Sequence, residues 1–187
     1  MTNEQCPKSI VIDLFNVRNV GNLVPPATSD GLSQRDLSEA GAVEYAVLVL
    51  KVTDIIVCGH SECGAMKAVL AADSVPVNAP NLRKWLQDAP TAAERLTYDR
   101  AVDAGLKPHD RISQINVLVQ LDHLASYPIV RDRVTAGTLH LHGWWFNVAA
   151  GSMLAYDPGE NCFEQINRKM IKRMVKHRVR SDVTQSA

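Results

Sequence analysis

The clearest indication of the fold is the run Asp54-Ile55-Ile56-Val57-Cys58-Gly59-His60-Ser61-Glu62-Cys63-Gly64. Its first part, Asp54–Cys58, is apolar after the first residue and predicts a short strand. Gly59–Gly64 then has the composition of a strand-to-helix turn, and a helix is predicted over Ala65–Ala72. A further helix is predicted over Glu39–Lys51, because apolar residues recur there at steps of three and four. The order helix, strand, turn, helix is typical of an α/β protein.

The regions on either side extend the same pattern. Upstream, Ser9–Val17 is almost continuously apolar, which predicts a strand buried on both faces, as in a parallel sheet. Downstream, a long helix over Ile112–Ser126 precedes a strand over Thr138–Phe146 and a returning strand over Gly151–Tyr156. Shorter helices are predicted over Asn81–Ala89, Thr91–Ala104 and Ile129–Ala136. We therefore expect residues 1–187 to form a single domain with a mainly parallel central sheet flanked by helices.

The composition excludes several classes of protein. Lys plus Arg and Asp plus Glu both number 20 in 187 residues, so no electrostatic feature indicates nucleic acid as a partner. No run of 18 apolar residues predicts a membrane span, and the polar start Met1–Lys8 has no signal core, so we expect a cytoplasmic protein without a membrane partner. Four cysteines are too few for a disulfide scaffold, which favours metal binding or burial for each of them.

His60 and Cys63 are the residues best suited to chemistry. Imidazole and thiolate are both good zinc ligands, and two intervening residues let both side chains face one point where the chain turns. The start of a helix also stabilises a thiolate, and Gly59 and Gly64 permit close backbone approach on either side. Zinc normally takes three or four protein ligands, so this pair by itself is an incomplete site.

Several motifs together resemble those of the β-class carbonic anhydrases. Glu44-Tyr45-Ala46-Val47 followed by Asp54–Gly64 is similar to a long, specific signature of that family. Upstream, Asp13–Asn22 resembles the family's strand and its Arg-Asn-x-Gly-Asn turn. Downstream, Leu141-His142-Gly143-Trp144 and Gly151-Ser152 resemble the family's last core strands.

The resemblance covers Asp13–Tyr156, most of the chain. It implies an α/β fold that works as a homodimer or higher homo-oligomer. It implies zinc held by two Cys and one His, with water or an Asp at the fourth position, and His60 and Cys63 match two of those ligands. It also implies reversible hydration of carbon dioxide to bicarbonate, because zinc lowers the pKa of bound water and the resulting hydroxide attacks the carbon.

The family's other cysteine ligand belongs to a Cys-x-Asp-x-Arg motif on an earlier strand. Upstream of Cys58 the sequence offers Cys6, but Lys8 and Ile10 stand where the motif has Asp and Arg. The spacing to Asp13 is also too short for the family's strand end and connection. Cys6 is therefore a doubtful third zinc ligand, and no residue matches the family's catalytic Asp–Arg pair.

Several interpretations stay open from the sequence. A truncated or mispredicted start, a variant gene product and an inactive relative would each explain the missing motif. The enzyme interpretation competes with a catalytically impaired member that acts as an oligomer subunit. A redox thiol protein using Cys63, or hydrolysis of another small linear molecule such as carbon disulfide, is also compatible with these residues. Without the family's intervening strand, the predicted strands Ser9–Val17 and Asp54–Cys58 would have unpaired edges.

The remaining cysteines and histidines are interpreted structurally. Cys58 is expected to be a packed core thiol, and Cys162 a structural residue. His140 and His142 alternate with leucines and so share one face of a strand, where a metal-binding pair is the less favoured interpretation. Residues expected at the surface, on helices, in the core or at a subunit interface are His109, His123, Trp144, Trp145 and Phe146.

Overall fold

The computed structural model describes residues 14–71, 75–167 and 170–171. In these ranges the helices are α1 (Leu37–Glu44), α2 (Gly64–Leu70), α3 (Pro80–Trp85), α4 (Ala92–Tyr98), α5 (Pro108–Ser126) and α6 (Pro128–Thr135). The strands are β1 (Asp54–His60), β2 (His140–Asn147), β3 (Ser152–Asp157) and β4 (Cys162–Gln165). No helix in the described part of the chain combines the length and the apolar character needed to cross a bilayer.

The described strands form one mixed sheet in the order β1-β2-β3-β4. β1 and β2 are parallel, with Asp54 opposite His140 and His60 opposite Phe146. β3 and β4 follow by antiparallel pairing. Helices pack on this sheet around a core that includes Val117 of α5, so the predicted α/β class is confirmed.

Most predicted elements are present, with shifted ends. β1 continues two residues beyond the predicted end at Cys58, which places His60 within the strand. The predicted helix over Glu39–Lys51 is divided into α1 and a π-helical turn, Tyr45–Val49, closed by the bond from Leu50 N to Tyr45 O. β4 was not predicted, because its four residues are too few to show an alternating pattern.

Two predictions about apolar segments need correction. Leu14–Val17, the described end of the strand predicted over Ser9–Val17, lies in irregular and exposed chain, and the rest of that segment lies outside the described residues. Cys58 is exposed rather than a packed core thiol. Leu14–Val17 pairs with none of the described strands, and an apolar run forms a strand only where a neighbouring strand pairs with its backbone. For Cys58 the strand is present, but an apolar run does not say which of its faces another element covers. In β1, Val57 faces α5 and is buried, whereas Cys58 faces the opposite side.

The Arg18–Asn22 turn is held by polar side chains. Asn19 Oδ1 accepts a hydrogen bond of 2.9 Å from Leu23 N, and its Nδ2 donates to Leu23 O at 2.8 Å. Asn116 of α5 donates from Nδ2 to Gly21 O at 2.9 Å. Gly21 has a φ of +82°, a conformation that glycine adopts without steric cost. The turn is therefore fixed to the same helix that packs on the sheet.

Helix α5 approaches the sheet over two glycines. A Cβ atom on Gly59 of β1 would lie 2.8 Å from Val117 Cγ2, and one on Gly143 of β2 would lie 2.9 Å from Val117 Cγ1. Both separations are too short for real atoms, and Val117 is fully buried with little room to move. The absence of side chains at these two positions therefore sets the distance between helix and sheet.

We predict that Gly143→Ala lowers the free energy of unfolding by about 1–3 kcal/mol, because the added methyl group overpacks the contact with Val117. Urea denaturation followed by circular dichroism measures this change. Gly41→Ala is the matched control: it lies in α1 with no atom within 4 Å of the added Cβ, so it should be neutral or stabilising by up to about 1 kcal/mol. Adding Val117→Ala to Gly143→Ala should cost less than the sum of the single changes. Equal stability of Gly143→Ala and the wild type would contradict this account.

Candidate metal centre

The two predicted ligands lie on one short turn at the C-terminal end of β1. His60 is the last residue of that strand, and Cys63 directly precedes Gly64, the first residue of α2. Between them, Glu62 has a φ of +57°, in the left-handed region that residues other than glycine rarely adopt. The chain thus changes from strand to helix within three residues.

The hydrogen bond of the His60 ring determines which of its nitrogens is free. Nδ1 lies 2.8 Å from the backbone oxygen of Ser61. A carbonyl oxygen can only accept, so Nδ1 carries the proton in this contact and Nε2 keeps its lone pair. A backbone carbonyl on the other ring nitrogen is the usual support of a metal-ligating histidine. His60 is exposed, so the ring can also be reached from solvent.

Cys63 has the opposite environment. It is 4% exposed and belongs to a cluster of apolar side chains with Leu23, Met66 and Ile112. Its sulfur is therefore screened from most of the solvent, while its backbone oxygen accepts the hydrogen bond from Lys67 N that begins α2. The turn combines an accessible imidazole with a sheltered thiol.

Neighbouring elements hold the turn through its backbone. Ser61 N donates to Phe146 O at 2.9 Å, and Ser61 Oγ accepts from Val148 N at 2.9 Å. Ser113 of α5 donates from Oγ to His60 O at 2.7 Å. β2 and α5 therefore fix the turn from two sides.

Glu62 is tied to the start of α5. Its backbone N–H donates to Asp110 Oδ1 at 2.6 Å, and its carboxylate forms ion pairs with Lys107 and Lys67. Hydrogen bonds from Lys107 and then Lys67 lower the pKa of the Glu62 carboxyl to about 2. The carboxylate is therefore ionised throughout the neutral range.

His109 completes a second group of possible metal ligands. Its Nε2 lies 3.2 Å from Glu62 Oε2 and 3.6 Å from Asp110 Oδ1, and these three atoms form the one such group of three found among the described residues. The ammonium groups of Lys107 and Lys67 already pair with the two oxygens of Glu62, so a cation at this group would compete with these lysines for the carboxylate. From the sequence, His109 is predicted to be a surface or helix residue, because no spacing pattern links it to Glu62.

The other sequence candidates lie elsewhere. Cys6 lies outside the described residues. His140 and His142 share one face, with ring centroids 6.5 Å apart, but they sit at the start of β2, far along the strand from the turn. His142 Nε2 lies 3.0 Å from Asp54 Oδ1, which already provides its partner. Cys162 is half-buried in β4.

Comparison with known proteins gives one consistent family. A family model described as carbonic anhydrase matches residues 1–153. A carbonic anhydrase of Synechocystis sp. is 40% identical over 155 residues, which cover 80% of this chain and 53% of that protein. The chain spans about half the length of the first curated relatives it matches.

Solved structures agree with this result. The β-carbonic anhydrase CcaA has a TM-score of 0.69 and 38% identity, over 83% of this chain and 73% of that chain. A β-carbonic anhydrase of Sordaria macrospora, described as tetrameric, has a TM-score of 0.57 and 28% identity, over 74% of this chain and 66% of that chain.

Proposed function

The chain belongs to the β-class carbonic anhydrase family, and on that premise we propose that it catalyses the reversible hydration of carbon dioxide to bicarbonate at a zinc ion bound by His60 and Cys63. The observation that carries the proposal is the contact between His60 Nδ1 and the Ser61 carbonyl, 2.8 Å long. It leaves Nε2 as a lone-pair donor on the same short turn as the Cys63 sulfur.

The donor set of this turn fits zinc. Imidazole nitrogen and thiolate sulfur suit Zn²⁺ better than Mg²⁺ or Ca²⁺, which take oxygen ligands. By contrast, the Glu62, His109 and Asp110 group is dominated by carboxylate oxygens that already have lysine or backbone partners. We therefore assign zinc to His60 and Cys63 and not to that group.

Each of the two residues has a separate task in the proposed site. Cys63 offers a sulfur that the apolar cluster around it protects from solvent, which favours a stable bond to a metal. His60 keeps its proton on Nδ1, against the Ser61 carbonyl, and is exposed, so that a small substrate can approach it from solvent. A bound zinc ion supplies Lewis acidity, which lowers the pKa of a coordinated water toward neutrality.

The incomplete ligand set favours one alternative. Zinc in enzymes normally has three protein ligands, and the turn between β1 and α2 offers two candidates, His60 and Cys63. Cys6 is the doubtful candidate for the third ligand. The alternative function is therefore a catalytically impaired family member that acts as a subunit of an oligomer.

We predict that the purified protein binds close to one zinc ion per chain and that Cys63→Ser loses most of it, because a hydroxyl is a poor substitute for thiolate. Metal content after gel filtration, measured by mass spectrometry, tests this. Cys58→Ser is the matched control, since Cys58 is an exposed thiol on β1 outside the turn, and it should keep its zinc. Stoichiometric zinc in Cys63→Ser would remove the assignment.

We predict that the zinc-loaded protein hydrates carbon dioxide, but more than about 100-fold more slowly than the complete Synechocystis relative, because losing a whole ligand should exceed the effect of losing a supporting partner. Stopped-flow measurement with a pH indicator gives both rates. Hydration no faster than in buffer, with zinc bound, would favour the impaired subunit. A rate equal to that of the relative would show that a further residue, Cys6 first among them, completes the site.

We also propose that the protein forms a homodimer or a higher homo-oligomer. The π-helical turn exposes Leu48 and Val49 by 55% and 60%, and β1 pairs on one side only within the described residues. Exposed apolar side chains, and a strand edge that no described strand pairs with, are each typical of a surface that another chain covers.

Sedimentation velocity tests this surface. The wild type should sediment as a dimer or larger species, and Leu48→Glu should shift it toward monomer, because burying a carboxylate in an apolar interface is costly. Val77→Glu is the control, since Val77 is 92% exposed in a different part of the chain. A wild type that remains monomeric at micromolar concentrations would contradict the proposal.

A further inference from the structure

The zinc-binding turn depends on an unusual backbone conformation. Glu62 has a φ of +57°, although its side chain gives it no preference for the left-handed region. A backbone of this kind persists where neighbouring groups hold it. The Glu62 backbone is held directly by the hydrogen bond of 2.6 Å from its N–H to Asp110 Oδ1.

Asp110 is well placed to act as a fixed support. It lies in the first turn of α5, its side chain is 9% exposed, and α5 is anchored to the sheet through Val117. Because its side chain is buried, the Oδ1 acceptor has little freedom to move away from the Glu62 N–H. The position of the Glu62 amide is therefore coupled to the position of the helix.

We propose that Asp110 is a positioning residue for zinc: by accepting the Glu62 N–H, it holds the left-handed turn that directs His60 and Cys63 toward the same ion. The inference rests on the proposed function, because it assumes that these two residues bind zinc. Asp110 does not contact the metal in this account. It acts through the backbone between the two ligands.

A second contact supports the same role. The carboxylate of Glu62 forms an ion pair with Lys107, which directly precedes α5. The backbone and the side chain of Glu62 are thus both attached to the beginning of one helix. Ser113, one turn further along α5, holds the carbonyl of His60 at 2.7 Å.

What Asp110 contributes in this account is an acceptor atom at a fixed place, and not its negative charge. This distinguishes it from a general effect of an acidic residue in the first turn of a helix, which depends on charge. Asp110→Asn keeps an acceptor oxygen and removes the charge. Asp110→Glu keeps the charge and moves the acceptor by one methylene group.

The experiment compares zinc affinity, by competition with a chromophoric chelator, in the wild type, Asp110→Asn, Asp110→Glu and Asp110→Ala. We expect Asp110→Glu and Asp110→Ala to bind zinc about 10–100-fold more weakly, the range for loss of a supporting partner, and Asp110→Asn to stay within about threefold of the wild type.

The cobalt-substituted proteins give a second readout. The thiolate-to-cobalt absorption band should be preserved in Asp110→Asn and weakened in the other two variants. Asp99→Ala is the control, since it removes an exposed carboxylate paired with Arg111 of the same helix.

The outcomes separate this inference from the proposed function. If the wild type shows no zinc binding that depends on Cys63, the proposed function fails first. If the wild type binds zinc through Cys63 and Asp110→Glu binds it equally well with an unchanged cobalt band, the positioning role alone is wrong. If Asp110→Asn loses affinity as much as Asp110→Ala, the charge matters and the acceptor account is overturned. Should Asp110→Ala fail to fold, the comparison of Asp110→Asn with Asp110→Glu still decides the question.

Discussion

The close packing of α5 against two glycines of the sheet is the constraint on which the rest of the structure depends. Gly59 and Gly143 lie on neighbouring parallel strands, and Val117 occupies the space that their side chains would have filled. A contact of this kind allows little adjustment, because protein cores are packed as densely as organic crystals. The residues along α5 consequently have fixed positions relative to the end of β1, where the candidate site lies.

Buried polar residues on α5 make use of these fixed positions. Asp110, Ser113, Asn116 and Gln120 follow one another at steps of three and four, so they lie along one side of the helix. Each bonds to the backbone of a connecting segment: the first two hold the turn that carries His60 and Cys63, and the other two hold the turn near Gly21 and the segment after it. Burying polar groups is favourable only when they are hydrogen-bonded, so these contacts specify the shape of both turns.

In this arrangement a short turn carries two candidate ligands with different environments. Cys63 is buried in the apolar cluster with Leu23, Met66 and Ile112, and His60 is exposed at the last position of β1. Because α5 restrains the backbone between them, the two side chains do not need to be preorganised by contacts with each other.

The sequence by itself determined the α/β class and the order of most elements, and it predicts His60 and Cys63 as candidate ligands, because the strand, turn and helix signals there are local and leave a short spacing between two ligand types. It could not determine that Cys58 is exposed, since an apolar strand does not reveal which face is covered. Nor could it bring Asp110 to Glu62, which are 48 residues apart. Only the tertiary structure decided that contact. It follows from how closely α5 packs on the sheet, and no pattern along the chain encodes it.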